Sequence, residues 1–520
     1  MKLVYAHEMG AIDKKAAEEF YLPTAVLMEN AGRAAAETAA ELLGGDVYAK
    51  SVVVFAGKGN NGGDGLVAAR WLSAGGARVK IFLASPAAEF TGAAGVQLKI
   101  CAKSGLAVTE LKEECDWNVA EIAAAHADLM IDALLGTGFK GELGGNYKRA
   151  CLLMNGARAD VLAVDIPSGA QADTGEADEN AVQAAATVTM QLPKPGLYLY
   201  PAAELAGKVV VAPIGMPEAL TEQAEGHKYL LDSEIVRDFL PIRSGNCHKG
   251  EAGRVTVAAG SPGYTGAAAL CAQAAVKAGA GLVSLYTPLC SREVLAVKLT
   301  EVMVKGLIER MPGVLGGGAA AAAEVLDAAA KSDVLAIGPG LGTSEATGEV
   351  ILNILENYEG TAVIDADALT ALSRKAEILP QLKCTKILTP HPGEMARLCG
   401  VSAAEVDVRR IELAEKYAAE WNCVLVLKGA PTVIGCPDGT VYVNTTGTPA
   451  MATGGCGDVL TGIIAGLCAQ GIEAEAAAAC GVYLHGLAGE LAADGCIGLA
   501  AGELAAFVPE ARRMAENGEI

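Results

Sequence analysis

Short apolar runs that end in glycine or an acidic residue, and then pass into alanine-rich helical stretches, recur along this chain. That alternation constrains its architecture more than any other feature. The clearest case is Ser51-Val52-Val53-Val54-Phe55-Ala56-Gly57, followed by Gly59-Asn60-Asn61-Gly62-Gly63-Asp64-Gly65 and a helical pattern through Arg70 and Trp71. Two helical pieces on either side of Leu22-Pro23-Thr24 precede it, and further strands are expected at 79–84, 128–135, 161–166 and 186–192. Strand, turn and helix in repetition imply a parallel sheet covered on both faces.

The alternation lapses between about residues 215 and 243, which places a domain boundary near 216–225. It resumes with a strand at 254–259, the turn Gly260-Ser261-Pro262-Gly263-Tyr264-Thr265-Gly266 and a long helix to Lys277. More strands are expected at 281–286, 334–337, 361–364, 386–388 and 424–427. Segments 431–434 and 441–444 form a hairpin turned by Pro437-Asp438-Gly439. The last strong signal, Ala452-Thr453-Gly454-Gly455-Cys456-Gly457-Asp458, leads into a helix over 459–469. The expected fold class is α/β, with two domains in tandem.

Composition narrows the function. Of 520 residues, 52% are hydrophobic and 19% charged, enough apolar material for substantial cores. The net charge of -21 argues against a nucleic-acid coat or an anionic-membrane binder. It leaves room for a phosphate pocket built from backbone N–H groups. No signal-peptide core opens the chain and no uninterrupted apolar run reaches about 18 residues, so a soluble, cytoplasmic protein is expected. The 14 cysteines include no CxxC pair and the 6 histidines no ligand set, which disfavours a zinc site.

In an open parallel sheet, ligands bind beyond the carboxyl ends of the strands. Four such ends carry polar chemistry in the first half: Asn60, Asn61 and Asp64; Asp132 with Gly136-Thr137-Gly138; Asp165 with Ser168; and Lys194 with Gly196. The simpler reading of the first loop is a tight turn whose Asn and Asp cap the next helix. The dinucleotide fingerprint GxGxxG is absent. In the second half, Gly454 to Gly457 offer successive N–H groups at the positive end of a helix, and Asp458 beside them is placed to move a proton or merely to cap. Lys428 follows a strand and is either a ligand contact or half of a surface salt bridge. His391 stands between two prolines, and Asp365 and Asp367 are ligands or caps. Cys456 lies where a helix start lowers a thiol pKa, though no histidine is near in sequence.

The stretches Asn60-Asn61-Gly62-Gly63-Asp64-Gly65, Asp165-Ile166-Pro167-Ser168-Gly169, His391-Pro392-Gly393-Glu394 and Met451 through Gly462 carry a likeness. On them the chain resembles bifunctional NAD(P)H-hydrate repair enzymes, an epimerase domain of the YjeF N-terminal type followed by an ADP-dependent (S)-NAD(P)H-hydrate dehydratase domain. The resemblance implies a Rossmann-like three-layer α/β/α domain over 1–218 and a ribokinase-like α/β domain over 225–515. It implies that Asn60, Asn61, Gly62, Gly63, Asp64, Gly136, Thr137, Gly138, Phe139, Lys140, Gly141 and Glu142 hold the hydrate in the first domain. Asp165 would be catalytic there, and Asn61, Asp132 and Ser168 would bind potassium. In the second, Asp458 would be the base, with Gly253, Gly340, His391 and Asp458 itself at the hydrate. Lys428, Gly429, Ala430, Pro431, Thr432, Thr453, Gly454, Gly455, Cys456 and Gly457 would meet ADP, which enters with Mg²⁺.

The chain departs from the family pattern at Cys456, where serine is common, and at Ala450, where glycine is common. Expected partners are small molecules alone, NADH hydrate, NADPH hydrate and ADP, in a homo-oligomer. An alternative is a small-molecule kinase of ribokinase type fused to a non-catalytic binding or oligomerisation domain.

Overall fold

A computed structural model describes residues 1–222, 226–241, 243, 245–316 and 319–519. The chain divides into two compact units, Lys2–His227 and Lys228–Ile520 with Met1. Residues 223–225, part of the expected boundary, lie outside the described residues.

In the first unit, α1 (Ala6–Glu19) and α2 (Thr24–Leu42) flank Pro23 as expected. The strands are β1 (Ser51–Ala56), β2 (Arg78–Leu83), β3 (Ala107–Glu110), β4 (Leu129–Ala133), β5 (Asp160–Val164), β6 (Ala186–Met190) and β7 (Lys208–Ala212). They pair in the order β3-β2-β1-β4-β5-β6-β7, all parallel. The helices α3 (Asn60–Ala74), α4 (Gly92–Lys103), α5 (Glu114–Ala125) and α6 (Gly145–Gly156) connect them. Val52, Val54 and Ala56 join one core cluster with residues of α1 to α4, while Val53 and Phe55 join another with Trp117 and Cys151. Burial on both faces explains why this strand reads as an unbroken apolar run. The edge strands β3 and β7 were not legible: most of their residues are only half-buried, so neither needs a buried strand's pattern. Strand order reverses between β1 and β4, which opens a crevice at their carboxyl ends.

The second unit contains β8 (Lys228–Leu231), β9 (Arg254–Ala258), β10 (Leu282–Pro288), β11 (Met303–Leu307), β12 (Glu309–Met311), β13 (Val314–Leu315), β14 (Val334–Ile337), β15 (Thr361–Ile364), β16 (Thr385–Leu388), β17 (Val424–Leu427), β18 (Val433–Gly435) and β19 (Val441–Asn444). Ten form one sheet in the order β11-β10-β9-β14-β15-β16-β17-β18-β19-β8, and β12 pairs with β13. Pairing is parallel up to β17, and the expected hairpin adds β18 and β19 antiparallel. The lapse inferred over 215–243 is corrected: β8 and the helix Ser233–Phe239 lie within it. A four-residue edge strand, half-buried at its two central residues, gives no apolar run to read.

The helix Cys456–Ala469 is buried along nearly its whole length and packs on Thr265–Lys277. Glycines set how close they come. A Cβ on Gly462 would lie 2.1 Å from the Cys271 carbonyl oxygen, and one on Gly466 2.6 Å from that of Ala275. Gly462→Ala is therefore expected to destabilise the second unit by about 1–3 kcal/mol, overriding the helix propensity of alanine. Urea unfolding checks this through a lowered midpoint. An unchanged or raised midpoint would mean that the two backbones separate freely.

Candidate active sites

The crevice of the first unit is a cavity of about 910 Å³. Its wall includes Asn60, Asn61, Asp64, Gly136, Thr137, Gly138, Phe139, Lys140, Glu142 and Asp165. Gly62, Gly63 and Gly141 are not on it. A Cβ on Gly62 would meet the Gly57 carbonyl oxygen at 1.7 Å, and one on Gly63 the Met28 side chain at 2.5 Å, so both serve the packing of the β1–α3 turn. Asp132 and Ser168 are fully buried and absent from the wall. Asp132 accepts from the Ser168 N–H at 2.7 Å and the Ser168 hydroxyl at 2.6 Å. Burial pushes its carboxyl up to about 6, against those bonds and the Leu134 N–H. Asn61 donates through Nδ2 to the Leu135 carbonyl at 2.8 Å, while its buried Oδ1 has no hydrogen-bond partner among the described residues.

Asp165 follows β5 in the left-handed region, φ 65°. Its Oδ1 accepts from the ammonium of Lys194 at 2.6 Å and from the Thr189 hydroxyl at 3.1 Å. Lys194 is 1% exposed and also donates to Thr189 and to the Met190 carbonyl. Three more carboxylates share the cavity wall, Glu142, Asp64 and Asp13. Asp64 is pushed well above the carboxylate range by burial, then by Asp165 and Asp13, with Lys194 opposing. Asp13, on α1, rises to about 6 by burial, with Lys194 lowering and Asp165 raising it. Sequence reasoning missed Asp13. The signal was available, because Ala6, Met9, Gly10, Asp13 and Ala17 recur at helical spacing and Asp13 is the one acid among them.

In the second unit, the carboxyl ends of β14 to β17 converge on the start of the helix Cys456–Ala469. Lys428 reaches Asp365 at 2.7 Å, and Glu394 lies 4.0 Å away. Asp365 is 1% exposed and also accepts from the Thr461 hydroxyl at 2.8 Å. The possible surface salt bridge of Lys428 is thus a pair between a half-buried lysine and a buried aspartate. Burial lowers the Lys428 ammonium, but Asp365 and Glu394 outweigh it and hold the group above its ordinary value. A Cβ on Gly457 would stand 3.2 Å from the Lys428 ammonium, so the lysine meets the glycine cradle. Gly455 caps that helix at φ 100°, and Gly454 faces open space. Burial pushes Asp458 up to about 7, with Asp365 adding to the shift and Lys428 opposing it.

The residues on either side fall into place around this cluster. Arg410 donates to the carbonyls of Lys428 and Pro431 at 3.2 Å each, and the Thr432 hydroxyl donates to the Gly429 carbonyl at 3.0 Å, which fixes the loop holding Ala430. His391 caps the helix Pro392–Cys399, and its N–H donates to Glu394 at 2.9 Å. Gly340 follows β14, and a Cβ there would lie 2.9 Å from Tyr264. Asp367 accepts from the Gly342 N–H at 2.7 Å.

Two family models match the chain. One, described as YjeF-related protein N-terminus, covers residues 24–196, and one described as NAD(P)H-hydrate dehydratase covers residues 255–509. A bifunctional NAD(P)H-hydrate repair enzyme of Moorella thermoacetica is 46% identical over 91% of this chain and 89% of its own length. Another from Thermofilum pendens is 39% identical over 91% and 89%. The chain belongs to the family of bifunctional NAD(P)H-hydrate repair enzymes. Among solved structures, the ADP/ATP-dependent NAD(P)H-hydrate dehydratase of Bacillus subtilis, co-crystallised with ATP and Mg²⁺, is 32% identical, with a TM-score of 0.47, covering 55% of this chain and 98% of that one. The family's two-domain α/β architecture, Rossmann-like and then ribokinase-like, is the one described above.

Two expectations for this family member are corrected. Gly253 precedes β9, at the amino end of the strands, and a Cβ there would lie 1.8 Å from the Ala469 carbonyl oxygen, at the far end of the helix that starts at Cys456. It does not meet Asp458. The Cys456 thiol is not lowered by its helix start: burial raises it, against a backbone bond to Thr453. A histidine does stand close, because His485 Nε2 lies 2.9 Å from the Cys456 carbonyl oxygen. Burial pushes that imidazole down to about 4, so it is neutral and donates to the carbonyl. All fourteen cysteines are free.

Asp458 has a measurable linkage. Its folded value of about 7 exceeds the ordinary 3.8, so the folded chain binds the extra proton and stability falls as pH rises through that window. Asp458→Asn removes the charge and is expected to stabilise the chain by about 1–3 kcal/mol near pH 8, after allowance for solvent screening, and by nothing below about pH 4. Urea unfolding at the two pH values checks it. Equal stabilisation at both would trace the gain to something other than charge.

Proposed function

We propose that the chain repairs hydrated NADH and NADPH. The first site equilibrates the R and S hydrates, and the second dehydrates the S form at the expense of ADP, giving AMP and phosphate. In this reading residues 1–218 form the epimerase domain and residues 225–515 the dehydratase domain. The observation that carries it is the presence, in one member of this family, of two carboxylate clusters at strand ends. One lines a cavity of nucleotide size and the other lies beside a glycine cradle.

In the first domain the cavity-wall residues hold the nucleotide, and Lys58 and Lys140 on the wall suit its phosphates. The hydrate carries its hydroxyl on C6, beside the ring nitrogen. The nitrogen lone pair expels that hydroxyl as water once it is protonated, leaving an iminium whose planar C6 takes water back on either face. Asp165, pinned by Lys194, handles the proton, while the carboxylates around it favour the positive charge the ring acquires. Asn61, Asp132 and Ser168 suit a potassium ion. The partnerless Asn61 Oδ1 and the buried Asp132 carboxylate are hard oxygen donors that a monovalent cation would satisfy.

In the second domain Asp458 takes the proton from the C6 hydroxyl of the S hydrate as that oxygen attacks the β-phosphoryl group of ADP. The N–H groups of Gly454 to Gly457 and the Lys428 ammonium stabilise the charge in transfer. The loop from Lys428 to Thr432 meets ADP, with Gly340 and His391 at the hydrate. Elimination of the phosphate then restores the reduced ring. Asp367 and Glu394 offer the oxygen donors that Mg²⁺ prefers, and bound there the ion would neutralise phosphate charge. Among the described residues no helix is long and apolar enough to cross a membrane. The reading is of a cytoplasmic homo-oligomer whose partners are small molecules.

The test follows reduced-ring absorbance in a mixture of R and S NADH hydrates given ADP and Mg²⁺. The native chain restores the whole mixture. Asp165→Asn stops at the S fraction, and Asp458→Asn loses at least about a hundredfold in rate. No recovery by a folded native preparation would overturn the dehydratase assignment and favour the small-molecule kinase.

A further inference from the structure

Asp365 stands where a helix cap would and does not cap. It follows β15 and takes the N-cap position of the helix Ala366–Leu372, yet its side chain makes no cap bond. Ala366 after it lies in the left-handed region at φ 48°, a strained setting for a residue with a Cβ. Both carboxylate oxygens are engaged elsewhere. Oδ1 accepts from the Lys428 ammonium at 2.7 Å and Oδ2 from the Thr461 hydroxyl at 2.8 Å. Asp365 is 1% exposed and Thr461 fully buried, so protein groups rather than water satisfy the carboxylate.

Thr461 lies one turn beyond Asp458 on the helix Cys456–Ala469. Asp365 therefore bridges the lysine that follows β17 and the helix that carries the base. That bridge decides where the ammonium rests. Three carboxylates draw on it: Asp365, Glu394 at 4.0 Å and Asp458. Among the described residues it hydrogen-bonds to Asp365 alone, and a Cβ on Gly457 would stand 3.2 Å from it. Released from Asp365, the ammonium would be free to pair with Asp458, and a carboxylate paired with a lysine is a weaker base.

We propose that Asp365 is the positioning residue of the second site. It holds Lys428 against the glycine cradle, in register with the helix of Asp458, so that the ammonium serves the transferring phosphoryl group and the base stays free. This rests on the dehydratase reading above. In that step the C6 oxygen bonds to the β-phosphorus of ADP, and the bond from that phosphorus to the bridging oxygen breaks. AMP leaves with the electron pair, and the hydroxyl proton passes to Asp458. Asp365 touches none of these atoms and acts through Lys428. An amide in its place keeps the shape but offers the lysine a single neutral oxygen.

The experiment follows dehydration of S NADH hydrate by the full chain, with hydrate, ADP and Mg²⁺ varied in turn. Asp365→Asn is expected to lower kcat at least about thirtyfold, with KM for hydrate and for ADP within about threefold. Thr461→Val, which keeps every charge, is expected to lower kcat about fivefold. In a Lys428→Met background either change costs less than about twofold, because the group it acts through is gone. Unfolding midpoints establish that each variant is folded, and if Asp365→Asn is not, the Thr461→Val rates in the two backgrounds decide. The assignment is overturned by a kcat that falls less than about tenfold in Asp365→Asn, or less than about twofold in Thr461→Val. A further loss above about twofold in the Lys428→Met background overturns it too, since Asp365 would then act on its own account. So does a raised KM for ADP or Mg²⁺ with kcat unchanged, which would make Asp365 a nucleotide or metal ligand. If the native chain dehydrates nothing, it is the dehydratase reading that fails, and this assignment falls with it.

Discussion

In each half of this chain one lysine at the carboxyl ends of a parallel sheet, buried at Lys194 and half-buried at Lys428, holds together carboxylates that would otherwise repel one another. Lys194 binds Asp165 with Asp64 and Asp13 close by, and Lys428 binds Asp365 with Glu394, Asp367 and Asp458 close by. A buried ion pair of this kind is weak evidence for stability, because desolvation offsets most of the attraction. Its consequence here is a charge state. With one lysine among several acids, burial raises Asp64 and Asp13 in the first cluster and Asp458 and Asp367 in the second.

The same imbalance sorts the chemistry. A carboxyl near 7, as at Asp458, accepts a proton from an alcohol at physiological pH more readily than an ordinary aspartate, because its basicity lies closer to the task. In the proposed reaction the neighbouring ammonium and the N–H groups of the glycine cradle would meet the transferring phosphoryl, where negative charge gathers. In the first cavity Asp165, Asp64 and Asp13 gather about Lys194, while Lys14, Lys58 and Lys140 stand elsewhere on the wall. In the proposed reaction the ring becomes positive, and a group of acids about one lysine suits it.

Much of this was readable from residues alone. Strands buried on both faces, such as β1 and β14 to β17, announce themselves as apolar runs, and glycine turns after them mark the ends where ligands bind. The edge strands β3, β7 and β8 did not, since a half-exposed strand carries no such run. Among functional groups, Asp165, Asp365 and Asp458 follow or begin recognisable elements and were named. Asp13 sits on a helix with no motif, and only the fold brings it to the cavity wall. Gly253 shows the converse: the resemblance put it at the hydrate, yet it precedes β9, at the amino end of that strand. Sequence distance ranks residues along a strand but does not say which end of the sheet a loop occupies until the strand's direction is fixed.

Glycine and cysteine usage follow from the same packing demand. The helix Cys456–Ala469 must bring Asp458 beside Lys428 while its far end crosses Thr265–Lys277 at backbone contact, which Gly462 and Gly466 alone permit. A helix held that closely along its length positions its first turn rigidly, and His485 fixes that turn further through the Cys456 carbonyl. Cysteine at 456 then matters for its size. Its thiol is buried and raised, so it contributes volume where serine would contribute a hydroxyl, and the cradle keeps its backbone N–H groups either way. The departure from serine is therefore compatible with the proposed phosphoryl chemistry, which would draw on the main chain and on Lys428 and Asp458 and ask nothing of the side chain at 456.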